Sequence, residues 1–271
     1  MIGANQPIGV FDSGVGGLTV ANAINYLLPN EEIIYFGDTA HLPYGDKSLE
    51  TIQYYSKHIA EYLLRKNCKI ILIACNTASA NAFDAIKTYV GNQAITIDVI
   101  TPVVEYFRKN NTNGSIGVIG TKSTINSGTY EKRIQNLNLD VPVVSLATPL
   151  FVPMIEEGFI YDDISNAIIR AYLSNEKLKK ISHLILGCTH YPVIKNQIRK
   201  FFEFNVEIID SSLIVAKYLR NVLSQNKLFN TSETPKKNSF FVSDYTDYFN
   251  KIATMFFEES IPLQKINIWQ N

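Results

Sequence analysis

Two cysteines of this chain each close an apolar, strand-like run and precede polar residues. Cys75 lies in "ILIACNTAS" (71–79), and Cys188 lies in "LILGCTHYP" (184–192). A free cysteine is most often a small buried hydrophobe, but two thiols at the same point of a repeated pattern favour chemistry. Thiols on opposite faces of a planar carbanion could remove a proton on one face and return one on the other. The pair therefore suits inversion at a carbon atom better than nucleophilic catalysis, which needs only one thiol.

Polar residues at other strand ends are further candidates for chemistry. Asp12 and Ser13 follow an apolar run in "GVFDSGVGG", Thr121 follows a later run, and His190 comes two residues after Cys188. Asp12 could transfer a proton or cap a helix, and His190 could be functional or structural; both interpretations are open for each. Glu156, in "LFVPMIEEGFI", is by pattern alone a solvated helix end.

The glycine-rich stretch "DSGVGGLTV" allows a nucleotide-binding interpretation, which its spacing disfavours. Aligned to G-x-G-x-x-G from Gly14, it has Thr19 at the last position, and no G-x-x-x-x-G-K-[ST] motif occurs in the chain. The backbone N–H groups of such a loop could instead hold a carboxylate.

The elements that must position these residues are strands alternating with helices. Nearly continuous apolar strands in this alternation predict parallel sheet covered on both faces. Helices are indicated over 17–28 and 48–67, the second with Ser48 as its N-cap. We predict strands over 7–12, 32–38, 69–75, 94–100, 115–120, 141–146, 183–188 and 205–211.

The strand pattern occurs twice at a nearly constant offset. Gly117 follows Gly9 by 108 residues, and Cys188 follows Cys75 by 113, which predicts two similar doubly wound α/β halves. Ligands bind beyond the carboxyl ends of strands in such sheets. If the halves face each other, both thiols point into one cleft. Residues 224–239 are predicted to form a loop, and 240–257 one more strand and helix packed on one of the halves.

The composition disfavours several classes of partner. Lys plus Arg and Asp plus Glu number 25 each, so no charge excess points to nucleic acid or an anionic membrane surface. We see no signal peptide and no apolar run long enough to span a membrane. The three widely spaced cysteines are not a disulfide framework, so we expect a cytoplasmic protein with free thiols. No metal-ligand cluster or PLP lysine motif is evident, and we expect no cofactor.

Four motifs together resemble those of the glutamate racemases, within the aspartate/glutamate racemase family. They are "GVFDSGVGGLTV", "YFGDTAHLPYGDKS", "ACNTASA" and "LGCTHYP", and the match runs in order from residue 8 to about residue 210. The resemblance implies two α/β domains related by pseudo-twofold symmetry, with the active site between them. Residues 1–99 and 211–271 would form the first domain, and 100–210 the second. It also implies cofactor-independent interconversion of L- and D-glutamate for peptidoglycan synthesis, in a homodimer.

The resemblance also assigns roles to individual residues. Cys75 would act on D-glutamate and Cys188 on L-glutamate, with Asp12 and His190 assisting and Glu156 as a further acidic group. Substrate contacts would come from Asp12, Ser13, Tyr44, Gly45, Asn76, Thr77, Thr121, Thr189 and His190. A racemase for aspartate, a non-catalytic amino-acid binding module and a nucleotide-dependent enzyme are the alternatives.

Overall fold

A computed structural model describes residues 2–110, 114–139, 141–232 and 237–269. Within these ranges the chain forms two all-parallel sheets. The strands are β1 (Ile8–Asp12), β2 (Ile33–Gly37), β3 (Ile70–Ile73), β4 (Ile95–Asp98), β5 (Ser115–Gly120), β6 (Val143–Ala147), β7 (Ile181–Gly187), β8 (Glu207–Ile209), β9 (Ser239–Val242) and β10 (Leu263–Lys265).

Helices alternate with the strands. They are α1 (Leu18–Leu27), α2 (Leu49–Arg65), α3 (Asn76–Val90), α4 (Ile100–Lys109), α5 (Lys122–Asn126), α6 (Thr129–Gln135), α7 (Phe151–Glu156), α8 (Asp163–Leu173), α9 (Lys195–Phe201), α10 (Ser211–Gln225) and α11 (Asp247–Phe257). No helix in the described part of the chain is both long and apolar enough to cross a bilayer.

The two sheets share one strand order. The first runs β10-β9-β2-β1-β3-β4 and the second β6-β5-β7-β8. The order β2-β1-β3-β4 therefore recurs as β6-β5-β7-β8, as a duplicated unit requires. The predicted fold class, α/β with two similar doubly wound domains, is confirmed.

Both faces of the first sheet are buried at β1, β2 and β3, which explains the nearly continuous apolar sequence of these strands. Ile70 and Leu72 of β3 belong to one core cluster, together with residues of α1. Ile71 and Ile73 belong to a second cluster, together with residues of α2. Because successive side chains of a strand point to opposite faces, every residue of β3 must be apolar.

Side-chain caps set several boundaries that differ from the predicted ones. The Ser48 hydroxyl accepts the Thr51 N–H at the start of α2, which confirms the predicted N-cap. The strand predicted over 94–100 stops at Asp98, because α4 begins at Ile100 and the Asp98 carboxylate accepts the Thr101 N–H. The strand predicted over 69–75 stops at Ile73, because Cys75 is the N-cap of α3.

The C-terminal segment extends the first sheet. β9 pairs with β2, and β10 pairs with β9; β9 and α11 confirm the strand and helix predicted within 240–257. β10 was not predicted, since its three residues are half-buried or exposed and carry no apolar run. Residues 233–236 of the predicted loop lie outside the described residues, and the domain boundaries at 99/100 and 210/211 stay a prediction.

A buried ion pair anchors the chain after α10 to the first sheet. Lys69, which is 0% exposed, lies 2.6 Å from Glu31 Oε2 and donates to the Leu228 carbonyl at 2.8 Å. Glu31 in turn accepts the Asn230 N–H at 2.8 Å. Each charge is therefore compensated without solvent, which a buried pair requires.

Candidate active site

The two sheets face each other across a cavity of about 310 Å³, termed here the central cavity. The first half of the chain lines it with Ser13, Leu42, Pro43, Tyr44, Gly45, Asp46, Cys75, Asn76 and Thr77. The second half lines it with Thr121, Lys122, Thr148, Pro149, Val152, Pro153, Glu156, Cys188, Thr189 and His190. Every predicted site residue except Asp12 thus lines this one cavity, and the two equivalent thiols share it.

Cys75 reaches the cavity because β3 ends two residues before it and α3 begins directly after it. Its Sγ accepts the Ala78 N–H at 3.4 Å and donates to Ser13 Oγ at 3.5 Å. Burial, and next the negative charge of Asp12, raises the pKa of Cys75 to about 12 despite these hydrogen bonds. The start of α3 favours a thiolate, but burial outweighs it, so Cys75 keeps its proton at neutral pH.

Asp12 lies behind Cys75 rather than in the cavity wall. It is the last residue of β1, it is fully buried, and its Oδ2 accepts the Gly14 N–H at 3.0 Å. Burial raises the pKa of Asp12. The His190 charge and hydrogen bonds, including one with the Cys75 thiol, lower this pKa but do not outweigh burial. Its Oδ1 has no hydrogen-bond partner among the described residues. The N-cap residue of α1 is Gly17, so Asp12 is not the simple helix cap.

Cys188 is the start of a three-residue chain of polar groups. His190 Nδ1 lies 3.8 Å from Cys188 Sγ, and His190 Nε2 lies 2.9 Å from Glu156 Oε1. Burial alone would lower the pKa of His190, but its contacts with Cys188 and Glu156 raise the pKa to about 10. His190 is therefore an imidazolium at neutral pH, and it can donate to both neighbours. Glu156, at the end of α7, contacts His190 and is not the solvated helix end that its pattern alone indicated.

The two thiols consequently have different surroundings. A buried carboxylate stands behind Cys75, whereas a buried cation stands beside Cys188. A neighbouring anion favours the thiol and a neighbouring cation favours the thiolate. The two equivalent thiols of one cavity thus lie beside groups of opposite charge.

Hydroxyl groups join the two halves at the cavity. Thr77 Oγ1 lies 3.0 Å from Thr121 Oγ1 and 3.2 Å from Thr124 Oγ1. The Thr19 hydroxyl donates to the Thr189 carbonyl at 3.3 Å. Of these residues, Thr77, Thr121 and Thr189 line the cavity, and they give its wall neutral polar groups that can bind a zwitterion.

The loop with Tyr44 and Gly45 is fixed from below. The Tyr44 hydroxyl donates to Asp38 Oδ2 at 2.7 Å, and Ser243 of the returning segment donates to Asp38 Oδ1 at 2.7 Å. A Cβ at Gly45 would lie 3.0 Å from Thr121 Cβ, so a glycine lets this loop approach the second half.

Sequence reasoning missed some of the wall. Thr148 directly follows β6, and its hydroxyl lies 2.7 Å from the Tyr191 hydroxyl. Thr121 was predicted because it follows a strand, and the same criterion could have identified Thr148. Pro149, Val152 and Pro153 carry no polar signal. Within the described residues, no group of three His, Cys, Asp or Glu side chains is arranged to hold a metal ion; independence from cofactors stays a prediction.

Comparison with known proteins places the chain in a family. The sequence profile of the Asp/Glu/Hydantoin racemase family matches residues 8–219. The chain belongs to this family. It is therefore a racemase, an isomerase of the Asp/Glu/Hydantoin type.

Relatives and solved structures match over nearly the whole chain. A glutamate racemase of Geobacter metallireducens is 40% identical over 251 residues, which are 93% of this chain and 92% of that protein. The crystal structure of glutamate racemase from Francisella tularensis subsp. tularensis SCHU S4 with D-glutamate is 42% identical, with a TM-score of 0.91 over 98% of this chain and 99% of that one. The Thermus thermophilus enzyme with beta-chloro-D-alanine is 35% identical, with a TM-score of 0.87 over 98% of both chains.

Proposed function

We propose that this racemase interconverts L- and D-glutamate by transferring protons at Cα between two thiols. The observation that carries the proposal is the placement of Cys75 and Cys188, one from each repeated half, in the walls of a single cavity. A symmetric pair of acid/base groups is what inversion requires, because the reverse reaction exchanges their roles.

In the direction from L to D, Cys188 as thiolate takes the Cα proton of L-glutamate. The electron pair left on Cα then takes the proton of the Cys75 thiol on the opposite face, which gives D-glutamate and a Cys75 thiolate. The proton-bearing state of Cys75, with its pKa raised to about 12, suits this role. His190 donates to Cys188 and is itself supported by Glu156. From D to L the same groups act in reverse, and Asp12 assists Cys75.

Mostly neutral polar groups would hold the substrate in the central cavity. The predicted contacts are Asp12, Ser13, Tyr44, Gly45, Asn76, Thr77, Thr121, Thr189 and His190, and all but Asp12 line the wall. A cavity of about 310 Å³ suits a small amino acid, because pockets for larger ligands extend to roughly 1,000 Å³.

We propose glutamate rather than aspartate as the substrate, because relatives that match nearly the full chain are named glutamate racemases. The chemistry would be the same for aspartate, which is shorter by one methylene group. Such a difference is worth only about 1 to 3 kcal/mol in a pocket, so a direct comparison of the two substrates decides the point. A binding module would not need the paired thiols, and the altered glycine pattern disfavours a nucleotide-dependent enzyme.

Exchange of the Cα hydrogen with solvent deuterium tests this function. We expect exchange and racemisation of glutamate by the purified chain, with no PLP added and with a metal chelator present. Proton NMR follows the Cα signal, and chiral chromatography follows the enantiomers. No exchange into either enantiomer of glutamate would overturn the proposal, and exchange of aspartate alone would favour the aspartate alternative.

We also propose the cellular setting that the resemblance implies. D-glutamate would supply peptidoglycan synthesis, and the chain would act as a homodimer without nucleic-acid or membrane partners. Within each subunit, the first domain would comprise 1–99 and 211–271, and the second 100–210. The three cysteines are unpaired thiols, which supports a reducing, cytoplasmic location.

A further inference from the structure

We propose that Tyr130 is a positioning residue that fixes the side-chain amide of Asn76, so that its NH₂ group is the end left free to bind a carboxylate oxygen of the substrate. The inference rests on the proposed racemase function and adds a second layer behind the substrate contact.

The contact between the two residues crosses the cleft. Asn76 is the first residue of α3 and lines the cavity beside Cys75. Tyr130 lies on α6 of the second half, is 2% exposed, and donates its hydroxyl hydrogen to Asn76 Oδ1 at 2.7 Å. Asn76 Nδ2 is buried and has no hydrogen-bond partner among the described residues. One end of the amide is thus held, and the other is an unused donor.

Hydrogen-bond accounting decides which way the amide points. In the opposite orientation, Nδ2 would donate to the Tyr130 oxygen, and the hydroxyl hydrogen of Tyr130 would need another acceptor. Asn76 Oδ1 is the acceptor that the described structure gives that hydroxyl. A buried donor without an acceptor costs about 1 to 3 kcal/mol, so the orientation with Oδ1 towards Tyr130 is the stable one.

Polar contacts on both sides of Tyr130 hold it in place. The Thr129 hydroxyl donates to the Ala80 carbonyl of α3 at 3.1 Å, and Arg133 donates to Asp98 Oδ2 at the end of β4 at 2.6 Å. α6 therefore docks onto the first half at consecutive points along its length. The Tyr130 hydroxyl cannot follow a rotating amide, and it selects one orientation instead.

The orientation matters because the substrate is an anion at two ends. Among the described residues, the cations that line the cavity are His190 and Lys122. The Lys122 side chain is 58% exposed and lies 3.7 Å from Asp46. Neutral N–H donors must therefore carry much of the carboxylate binding. An amide turned the other way would present an oxygen to the carboxylate and repel it.

The test is the variant Tyr130→Phe, which keeps the ring and removes the hydroxyl. We expect the KM for both glutamate enantiomers to rise about 5- to 30-fold, the effect of weakening one hydrogen bond to a charged group. We expect kcat to change less than KM, by under about 3-fold, because a carboxylate already carries most of its charge in the ground state. Tyr106→Phe is the matched control, since the Tyr106 hydroxyl bonds to Glu207 at the surface; its KM should not change.

A double-mutant cycle separates positioning from general packing. If Tyr130 acts through Asn76, then Tyr130→Phe should raise KM by less than about 2-fold in an Asn76→Ala background. A second variant, Asn76→Asp, keeps the acceptor for Tyr130 but removes the NH₂ donor, and its KM should rise at least as much as that of Tyr130→Phe.

Each outcome decides the proposal. Three results would overturn it and leave the racemase function intact. Tyr130→Phe could have the wild-type KM, or it could raise KM equally in the wild-type and Asn76→Ala backgrounds. Asn76→Asp could bind the substrate normally. If Tyr130→Phe does not fold, judged by circular dichroism, Asn76→Asp still tests the NH₂ donor, and normal substrate binding by that variant alone would overturn the proposal. A wild-type chain that exchanges neither glutamate nor aspartate would overturn both proposals.

Discussion

The charge of Glu156 should hold His190 in its protonated form, and Glu156→Gln removes that charge while keeping the shape. Glu156 Oε1 lies 2.9 Å from His190 Nε2, and the glutamate side chain is 24% exposed. A glutamine oxygen can still accept the same hydrogen bond. The substitution therefore isolates the electrostatic contribution of the carboxylate.

The size of the effect follows from the shift of the His190 pKa. That pKa is about 10, whereas an unperturbed histidine has a pKa of about 6.5. Cys188 and Glu156 share the support, so losing one charge should lower the pKa by about 1 to 2 units, or roughly 1.4 to 2.7 kcal/mol.

The sign of the pH dependence follows because the pKa of His190 is raised on folding. The stabilisation is fully present below the unfolded pKa of about 6.5 and is lost as pH rises towards the folded pKa. The unfolded pKa is the same in the wild type and in Glu156→Gln, so their difference in unfolding free energy depends on the two folded pKa values. It should be full below the lowered folded pKa of about 8 to 9 and close to zero above about pH 10.5.

Urea unfolding across this pH range measures the difference. Glu157→Gln is the matched control, because it removes the same charge from the next, exposed residue, and its difference from the wild type should stay small throughout. NMR titration of the His190 ring gives the pKa directly. A difference between the wild type and Glu156→Gln that does not vary with pH, or an unchanged His190 titration, would refute the reasoning.

Two further substitutions test the architecture around the site. Gly16→Ala places a Cβ 2.5 Å from His190 Nδ1 and from Thr189 Oγ1, so the rate of racemisation should fall by at least about 10-fold. Gly3→Ala is the control and should keep the wild-type rate, because the nearest atom to its Cβ would be 3.7 Å away. Lys69→Met leaves the Glu31 charge buried without its partner and should cost about 3 to 5 kcal/mol in urea unfolding. Substituting the exposed Lys200 by methionine should cost less than about 0.5 kcal/mol, and an equal loss in both variants would contradict the role of the ion pair.

Local patterns were enough to predict the sheets and the main wall of the cavity. β3 is buried on both faces, so its sequence is continuously apolar, and the residues that directly follow such a strand face the ligand edge. This rule places Cys75 and Cys188 in the central cavity without any knowledge of long-range contacts. The repeat of the strand pattern then predicts that the two strand ends are equivalent.

Contacts between distant residues were beyond the reach of local patterns. Glu156 has the pattern of a solvated helix end, but it bonds to His190, which lies 34 residues further along the chain. Tyr130 meets Asn76 across the cleft, 54 residues away in the sequence. The short edge strand β10 likewise depends on its neighbour β9 for pairing and has no apolar run of its own.

The most direct test of the two-thiol mechanism measures Cα exchange separately for each enantiomer in the variants Cys75→Ser and Cys188→Ser. Each variant should lose racemisation by about 100- to 10,000-fold, the usual contribution of one acid/base group. In deuterated water, Cys75→Ser should still exchange the Cα hydrogen of L-glutamate, and Cys188→Ser that of D-glutamate. Near-normal racemisation by either variant, or exchange of both enantiomers by one variant, would contradict the account.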